Sequence, residues 1–462
     1  MWTSIPSRFR NGPARRRSYL PRLEQLEPRD LLAAFTVPEL VRDINPGPFS
    51  STPQSLVAAG GTVYFTADDI RGRELWKADA TGAELVRDIA PGLGSSLPQE
   101  LTLVGGTLFF AASDGFRGRE LWKSDGTAEG TVMVKNIHLL GASSPQNLTN
   151  VGGTLFFTAS DGFRGRELWK SDGTAAGTVR VKDIFPGSSS SNPASLTDVN
   201  GELFFRATTS LRGTELWKSD GTQEGTILVK DINPGTSSSS PESLTNVGGT
   251  LFFTANVGST GRELWRSDGT SAGTTLVKNI AAGSSSSSPQ NLTDVNGTLF
   301  FTASVGSTGR ELWKSDGTLA GTTLVRDIQV GSGSSSPLEL TSVGGTLFFT
   351  ANLGITGREL WKSDGTPAGT TLVRNIAVGS SSSSPLNLTD VAGTLFFAAT
   401  TSVAGQELWR SDGTEEGTVL VRDIRPLSFS SFPSWLVDAS GVLFFSASDG
   451  IRGNELWKVI VS

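Results

Sequence analysis

The sequence of 462 residues contains no cysteine and a single histidine, His138. The absence of cysteine excludes disulfides, zinc–thiolate sites, iron–sulfur clusters and cysteine nucleophiles. One histidine excludes a histidine-rich metal site and argues against a Ser-His-Asp triad. No apolar run reaches the ~18 residues of a membrane-spanning helix, and the net charge of −6 argues against a nucleic-acid partner.

Positive charge is concentrated at the start of the chain. Residues 1–33 hold seven arginines and three acidic residues, which leaves 32 basic against 42 acidic residues in the remainder. A basic head before an acidic body is typical of a targeting segment. We therefore divide the chain into an N-terminal sorting or export segment, residues 1–34, and one domain, residues 35–462.

Glycine is abundant, with 55 residues, and it accompanies an internal repeat. An apolar triplet, most often Leu-Phe-Phe, and a Val-basic-Asp/Asn-Ile run each occur nine times. The tripeptide Glu-Leu-Trp also occurs nine times, 46 to 48 residues apart, and its tryptophans are Trp76, Trp122, Trp169, Trp217, Trp265, Trp313, Trp361, Trp409 and Trp457. Self-similarity at this period indicates an array or a β-propeller.

Each unit predicts four strands. In one unit we expect them at 244–247, at 251–255, around Leu264-Trp265 and at 275–280. Two-residue turns with glycine join antiparallel strands, because both central residues of such turns adopt positive φ. Consecutive apolar residues in Leu-Phe-Phe indicate a sheet that is covered on both faces. One unit is therefore predicted to form one propeller blade.

The two ends of the chain complement each other. The last unit ends shortly after Trp457 and lacks a fourth strand, whereas residues 38–44 resemble a fourth strand without a unit of its own. Pairing between the termini would remove the open edge of the array. The sequence thus predicts an all-β fold, a β-propeller of nine four-stranded antiparallel blades closed by the N-terminal strand.

The repeat resembles the ELWxxDGT repeat family of bacterial proteins, also called hyalin-repeat proteins. Residues 167–174, Glu-Leu-Trp-Lys-Ser-Asp-Gly-Thr, show the motif, while residues 77–82 of the first unit depart from it and the last unit stops after Lys458. The resemblance covers residues 35–462. It implies a secreted or surface-associated propeller-like protein and no defined catalytic activity, so no catalytic residues carry over.

The end of the N-terminal segment resembles the LEPR-x-LL motif of planctomycete exported proteins, which is thought to act in sorting. The matching residues are Leu26, Glu27, Pro28, Arg29, Leu31 and Leu32. The segment lacks the 7–15-residue apolar core of a standard secretory signal. The alternative is an arginine-rich tail with a short amphipathic turn. We expect a secreted or cell-surface location.

Residues that recur in every unit favour a scaffold over a site. The Asp-Gly-Thr turns offer one carboxylate each, whereas calcium needs six to eight oxygens. We therefore expect Asx-type turns and no cofactor, with calcium as the alternative. The glutamate of Glu-Leu-Trp is predicted to pair across strands with the base of the fourth strand, and the tryptophans are predicted to be buried between blades. The alternative for both is a sugar site.

Two residues break the repeat. His138 is predicted to be a substitution in a connecting loop. Arg206, which follows Phe204-Phe205, is predicted to be a strand-end charge, with channel lining as the alternative.

The connections vary on one face only. In a meander the loop between the second and third strands emerges on the same face as the serine-rich connection between blades. A rigid ring with one variable face favours a binding platform, the alternative being solvated connectors without a ligand. We predict an exported, non-catalytic binding or adhesion propeller for polysaccharide or a surface protein. The alternatives are a carboxylate-dependent glycan hydrolase or lyase and a structural coat protein.

Overall fold

The structure is a computed structural model that describes residues 35–92 and 94–461. All regular elements of these residues are β-strands, and they form nine four-stranded antiparallel sheets. Each sheet is one blade of a closed ring, so the predicted nine-bladed propeller is confirmed. The described residues contain no helix that is long and apolar enough to cross a membrane.

The strands follow one another in the chain as four per blade. The first strand, β1 (Glu39–Arg42), belongs to the last blade. Blade 1 consists of β2 (Gln54–Ala59), β3 (Thr62–Asp69), β4 (Gly72–Asp79) and β5 (Gly82–Arg87). Blade 2 consists of β6 (Gln99–Val104), β7 (Thr107–Ser113), β8 (Arg119–Ser124) and β9 (Val132–Lys135). Blade 3 consists of β10 (Gln146–Val151), β11 (Thr154–Ser160), β12 (Arg166–Ser171) and β13 (Val179–Lys182).

The next three blades have the same plan. Blade 4 consists of β14 (Ala194–Val199), β15 (Glu202–Thr209), β16 (Gly213–Ser219) and β17 (Ile227–Lys230). Blade 5 consists of β18 (Glu242–Val247), β19 (Thr250–Val257), β20 (Gly261–Ser267) and β21 (Thr275–Lys278). Blade 6 consists of β22 (Gln290–Val295), β23 (Thr298–Val305), β24 (Gly309–Ser315) and β25 (Thr323–Arg326).

The last three blades complete the ring. Blade 7 consists of β26 (Leu338–Val343), β27 (Thr346–Asn352), β28 (Arg358–Ser363) and β29 (Thr371–Arg374). Blade 8 consists of β30 (Leu386–Val391), β31 (Thr394–Thr401), β32 (Gly405–Ser411) and β33 (Val419–Arg422). Blade 9 consists of β34 (Ser434–Asp438), β35 (Val442–Ser448), β36 (Asn454–Ile460) and β1.

Within a blade the strands lie in chain order from the central channel to the outer rim. The first strands of neighbouring blades contact one another around the whole ring, including β34 with β2, so they line the channel. We call the face that holds the loops between second and third strands, and the connectors between blades, the top face. The bottom face holds the remaining hairpin turns.

The ring closes by strand exchange between the two ends of the domain. Strand β1 pairs antiparallel with β36, with Glu39 opposite Lys458 and Leu40 opposite Trp457. An isolated bridge between Phe35 and Val461 extends the contact. The outer edge of the third strand of blade 9 is thereby covered, as the sequence predicted.

Each interface between two blades contains one cluster of buried apolar residues. Phe205 packs with Leu168 of blade 3, whereas the adjacent Phe204 packs with Leu251 of blade 5. Successive side chains of a strand point to opposite faces, so the Leu-Phe-Phe triplet serves two interfaces at once. The nine tryptophans of the repeat are only 3–9% exposed, which confirms their burial between blades.

Candidate functional site

The connectors of the top face are anchored by the glutamate of each Glu-Leu-Trp motif. Glu215 is fully buried and accepts three hydrogen bonds from the connector that follows its blade. The donors are Ile232 N–H (2.9 Å), Ser239 N–H (2.7 Å) and Ser239 Oγ–H (2.6 Å). Burial, and secondarily the charge of Asp231, raises the pKa of Glu215. The same contact recurs in all nine blades, through Glu74, Glu120, Glu167, Glu215, Glu263, Glu311, Glu359, Glu407 and Glu455.

The predicted pairing of these glutamates with the base of the fourth strand is wrong. The register places Lys230 opposite Leu216 and not opposite Glu215. Lys230 instead donates to the backbone carbonyl of Thr274 in blade 5, at 2.8 Å. All nine bases reach the next blade in this way: Arg42, Arg87, Lys135, Lys182, Lys230, Lys278, Arg326, Arg374 and Arg422. They form a continuous belt of bonds between blades.

The Asp-Gly-Thr segments of the bottom face form Asx-type turns. Asp220 Oδ1 accepts from Thr222 N–H at 2.8 Å and from Thr222 Oγ–H at 2.7 Å. Those hydrogen bonds lower the pKa of Asp220. Among the described residues, no three His, Asp or Glu side chains are grouped closely enough to hold a metal ion. The predicted Asx-type turns are therefore confirmed.

The top face is packed closely where connectors cross the third strands. A Cβ added to Gly213, whose φ is +61°, would lie 2.6 Å from Ser238 Oγ and 2.9 Å from the Ser237 carbonyl carbon. Any larger residue there would push the connector away from the blade. Glycine at this position therefore lets the connector lie directly against the third strand.

Large apolar side chains are exposed in several connectors, such as Leu139 and Leu140 after blade 2 and Phe49 before blade 1, but the largest group lies between blades 8 and 9. The connector from blade 8 to blade 9 exposes Leu427 by 71%, Phe429 by 55% and Phe432 by 60%, and Trp435, in β34, is 47% exposed. We call these four side chains the apolar stripe. The connector leads from the outermost strand of blade 8 to the innermost strand of blade 9, so the stripe runs from the rim to the channel mouth. Three strand spacings give a length of roughly 14 Å.

Three residues of the stripe stand where the backbone disfavours bulky side chains. Leu427, Phe432 and Trp435 have φ values of 75°, 54° and 56°, a region that large L-residues rarely adopt. In seven other connectors the position of Leu427 holds a glycine with positive φ: Gly47, Gly92, Gly187, Gly235, Gly283, Gly331 and Gly379. The position of Trp435 has positive φ in all blades, and the other eight place there Ser55, Glu100, Asn147, Ser195, Ser243, Asn291, Glu339 and Asn387. The fold itself therefore requires no large apolar residue at these positions.

Two side chains beside the stripe, Asn387 and Arg425, contact it or its connector directly. Asn387 donates its side-chain N–H to the Pro433 carbonyl at 3.2 Å, and its backbone N–H to Glu339 at 2.8 Å. The Arg425 guanidinium lies over the Phe429 ring, 5.1 Å from its centroid. Trp435 lines a hollow of about 310 Å³, together with Asn387 and Thr389 of blade 8. The site is apolar, with one cation at its outer end.

The stripe is also visible in the sequence, as departures from the repeat. Trp435 is the only tryptophan of the described residues outside the Glu-Leu-Trp series. Phe429 and Phe432 interrupt a connector that is elsewhere rich in serine. Departures from the repeat, which need no knowledge of the fold, point to the same connector.

His138 and Arg206, which also depart from the repeat, lie away from the stripe. His138 lies in the connector after blade 2, where Nδ1 is 3.1 Å from the Ala142 carbonyl oxygen. Arg206 lies in β15 and forms an ion pair with Glu242 of blade 5 at 3.3 Å. The sorting motif, Leu26 to Leu32, lies outside the described residues. None of them belongs to the stripe.

A second hollow, of about 910 Å³, lies at the outer side of blade 4. Its lining combines the recurrent Trp217 and Leu228 with Phe185, Leu211 and Arg212. Arg212 is 3.6 Å from Asp231, and Lys230 also lines the hollow, so its charged side chains are two bases and one acid. The hollow is open at the rim.

Comparison with models of protein families gives no match. Comparison with curated proteins gives none either. Similar solved structures include one described in a structural and mechanistic analysis of two prolyl endopeptidases, with 11% identity and a TM-score of 0.44; the match covers 77% of this chain and 55% of that one. Another is a puromycin-hydrolyzing peptidase of Mycobacterium tuberculosis, with 11% identity, a TM-score of 0.41 and coverage of 90% and 61%. A third is oligopeptidase B of Leishmania major, with 12% identity, a TM-score of 0.43 and coverage of 77% and 53%.

These comparisons contradict the predicted function of an exported, non-catalytic binding or adhesion propeller for polysaccharide or a surface protein. The similar structures are those of peptidases, and no comparison supports adhesion. The chain spans between 53% and 61% of the length of the three peptidases. At identities of 11–12% the likeness does not transfer their activity to this chain.

Proposed function

We propose that the propeller binds extended apolar peptide segments along the apolar stripe. One observation carries the proposal. Leu427, Phe432 and Trp435 stand exposed at left-handed backbone positions that nearly all other blades give to glycine or to small or polar residues. Strained residues of this kind cluster at functional sites.

The dimensions and chemistry of the stripe suit a peptide. Its length of roughly 14 Å corresponds to about four residues of an extended chain. Aromatic-lined grooves bind proline-rich segments, whose rings pack flat against Trp and Phe. Trp and Arg, here Trp435 and Arg425, are also enriched among the residues that dominate binding energy.

The stripe is held rigidly before any ligand arrives. Glu407 accepts from Ile424 N–H at 2.9 Å, from Ser431 N–H at 2.9 Å and from Ser431 Oγ–H at 2.7 Å. Ser431 lies between Phe429 and Phe432 in the chain, so this contact fixes the middle of the stripe. Such preorganisation favours affinity because less conformational freedom is lost on binding.

The test compares the wild-type chain with a variant in which residues 427–435 are replaced by residues 379–387, the equivalent serine-rich connector of blade 7. Binding is measured by fluorescence anisotropy on labelled peptides that contain proline and aromatic residues, with polar peptides as a second set. We expect a Kd of roughly 1–100 µM for the wild type and at least a tenfold weaker Kd for the variant. The matched control is Leu319→Ser, an exposed apolar residue of the bottom face. Equal affinity of the wild type and the variant contradicts the proposal.

We also propose that residues 1–34 direct export and that the ring is a secreted or cell-surface member of the ELWxxDGT repeat family. The basic composition of this segment and the residues of its motif, given above, support this proposal. Cell fractionation of the full chain and of a chain without residues 1–34 tests it. An unchanged location after the deletion contradicts the sorting role. The absence of a cofactor stays a prediction, with calcium at the Asp-Gly-Thr turns as its alternative.

A further inference from the structure

Five neighbouring blades carry the same pair of residues at the tip of the top-face loop between their second and third strands. We call these pairs the crown: Ile451-Arg452, Ile70-Arg71, Phe116-Arg117, Phe163-Arg164 and Leu211-Arg212. The apolar members are 72%, 82%, 89%, 72% and 76% exposed, in that order. Blades 5 to 8 have no arginine at this position and carry Thr260, Thr308, Thr356 and Ala404. Blades 7 and 8 keep an exposed apolar residue at the tip, Ile355 at 78% and Val403 at 79%, whereas blades 5 and 6 carry Ser259 and Ser307 there. The crown therefore occupies one continuous arc, from blade 9 through blade 4.

The crown is held in shape by aspartates. Asp114 Oδ1 accepts the N–H groups of Phe116 and Arg117, both at 2.9 Å, and Oδ2 accepts Arg117 Nη1 at 2.8 Å. Asp449 holds its loop in blade 9 in the same way. The apolar residue is thereby kept pointing away from the blade. A guanidinium has five N–H donors, so Arg117 retains donors for a further anion.

The arrangement suits a flat partner. Equivalent loop tips in blades related by rotation about one axis lie at the same height along that axis. The crown covers more than half of the ring, so a flat surface contacts all five tips together, whereas a compact globular protein contacts only some of them. Apolar side chains that enter the headgroup boundary, together with arginines that bind phosphate, are the chemistry of proteins that dock on lipid.

We propose that the crown docks the propeller on a phospholipid bilayer, with its apolar residues in the interface and its arginines on lipid phosphates. Four of the loops contain an aspartate paired with their arginine, and Arg212 of blade 4 faces Asp231 of the following connector, so the crown carries little net charge. Binding therefore rests mainly on the apolar residues. It persists on neutral phosphatidylcholine, is strengthened modestly by phosphatidylglycerol, and weakens little with salt.

The test is co-sedimentation of the full chain with vesicles of phosphatidylcholine, alone or mixed with phosphatidylglycerol. Phe116→Ser/Phe163→Ser is expected to lower the partition coefficient at least tenfold, because two large side chains leave the interface. Leu319→Ser, on the bottom face, is the matched control and leaves binding unchanged. Ser259→Phe/Ser307→Phe adds aromatic residues to the polar tips of blades 5 and 6 and is expected to strengthen binding.

Several results would overturn the proposal. One is the absence of sedimentation with both vesicle types; another is an equal loss in the Leu319→Ser control. A concentration-dependent dimer that the Phe116→Ser/Phe163→Ser variant abolishes, without vesicle binding by the wild type, would assign the crown to a second copy of the chain. The connector-replacement variant keeps all five crown tips, so its vesicle binding is expected to fall far less than that of Phe116→Ser/Phe163→Ser while its peptide binding is lost, and the two proposals fail separately.

Discussion

Replacement of one anchoring glutamate tests how the connectors are held. Glu215→Ala leaves three donors without a partner in a buried site: Ile232 N–H, Ser239 N–H and Ser239 Oγ–H. Each orphaned donor costs about 1–3 kcal/mol, while removal of a buried charge recovers part of its desolvation penalty. We expect the free energy of unfolding to fall by about 3–6 kcal/mol. Glu215→Gln keeps the volume and one acceptor, so we expect a loss of about 1–3 kcal/mol.

The measurement is urea unfolding at neutral pH, together with hydrogen exchange of the amides of Ile232 and Ser239. Exchange is included because a ring of nine blades need not unfold in one step. Both amides are expected to lose protection before the strands of blade 4 do. Glu224→Ala changes an exposed glutamate in the same blade and is expected to alter stability by less than about 0.5 kcal/mol. A loss below about 1 kcal/mol for Glu215→Ala would refute the anchoring role.

Three further predictions concern the ring as a whole. The pKa of Glu215 and its equivalents is raised by burial, so the folded state binds protons more readily, and stability increases as pH falls from neutral toward the ordinary value of 4.5. The pKa of aspartates such as Asp220 is lowered by hydrogen bonds, so the stability that these aspartates contribute is lost as pH falls below their ordinary value of 3.8. Thermal unfolding measured across pH should therefore show the greatest stability at mildly acidic pH. A maximum at or above neutrality contradicts this. Lys230→Met removes the hydrogen bond to Thr274 and is expected to lower the free energy of unfolding in urea by about 1 kcal/mol. An unchanged free energy of unfolding would mean that the belt does not stabilise the ring. Deletion of residues 38–44 uncovers the edge of β36, so size-exclusion chromatography should show self-association; a stable monomer contradicts closure by strand exchange.

The architecture was predictable because it is encoded by short-range patterns. Glycine-containing hairpin turns, apolar pairs such as Phe204-Phe205 and the regular tryptophan spacing specify blades without any long-range information. The missing fourth strand of the last unit, read together with residues 38–44, predicted the closure. Strand ends were less exact: the fourth strand of blade 5 ends at Lys278 instead of residue 280.

The side-chain partners were not predictable, because they depend on register. The sequence suggested that Glu215 and Lys230 pair, yet the fourth strand places Lys230 opposite Leu216. Glu215 then turns toward backbone N–H groups of the connector, which lie 17 and 24 residues further along the chain. The strained backbone of the stripe was not predictable either. Phe432 and Trp435 have positive φ because of the way the connector enters the first strand of the blade, which local composition does not indicate.

The central claim is that the apolar stripe serves a ligand and not the fold, and Phe432→Ser/Trp435→Asn tests it most directly. Both substitutions introduce residue types that other blades carry at the same positions. Peptide affinity and urea unfolding are measured on the same preparations. We expect affinity to fall at least tenfold, while the free energy of unfolding changes by no more than about 2 kcal/mol, because relief of backbone strain offsets the lost burial of two half-exposed rings. Unchanged affinity, or a large loss of stability, would contradict the claim.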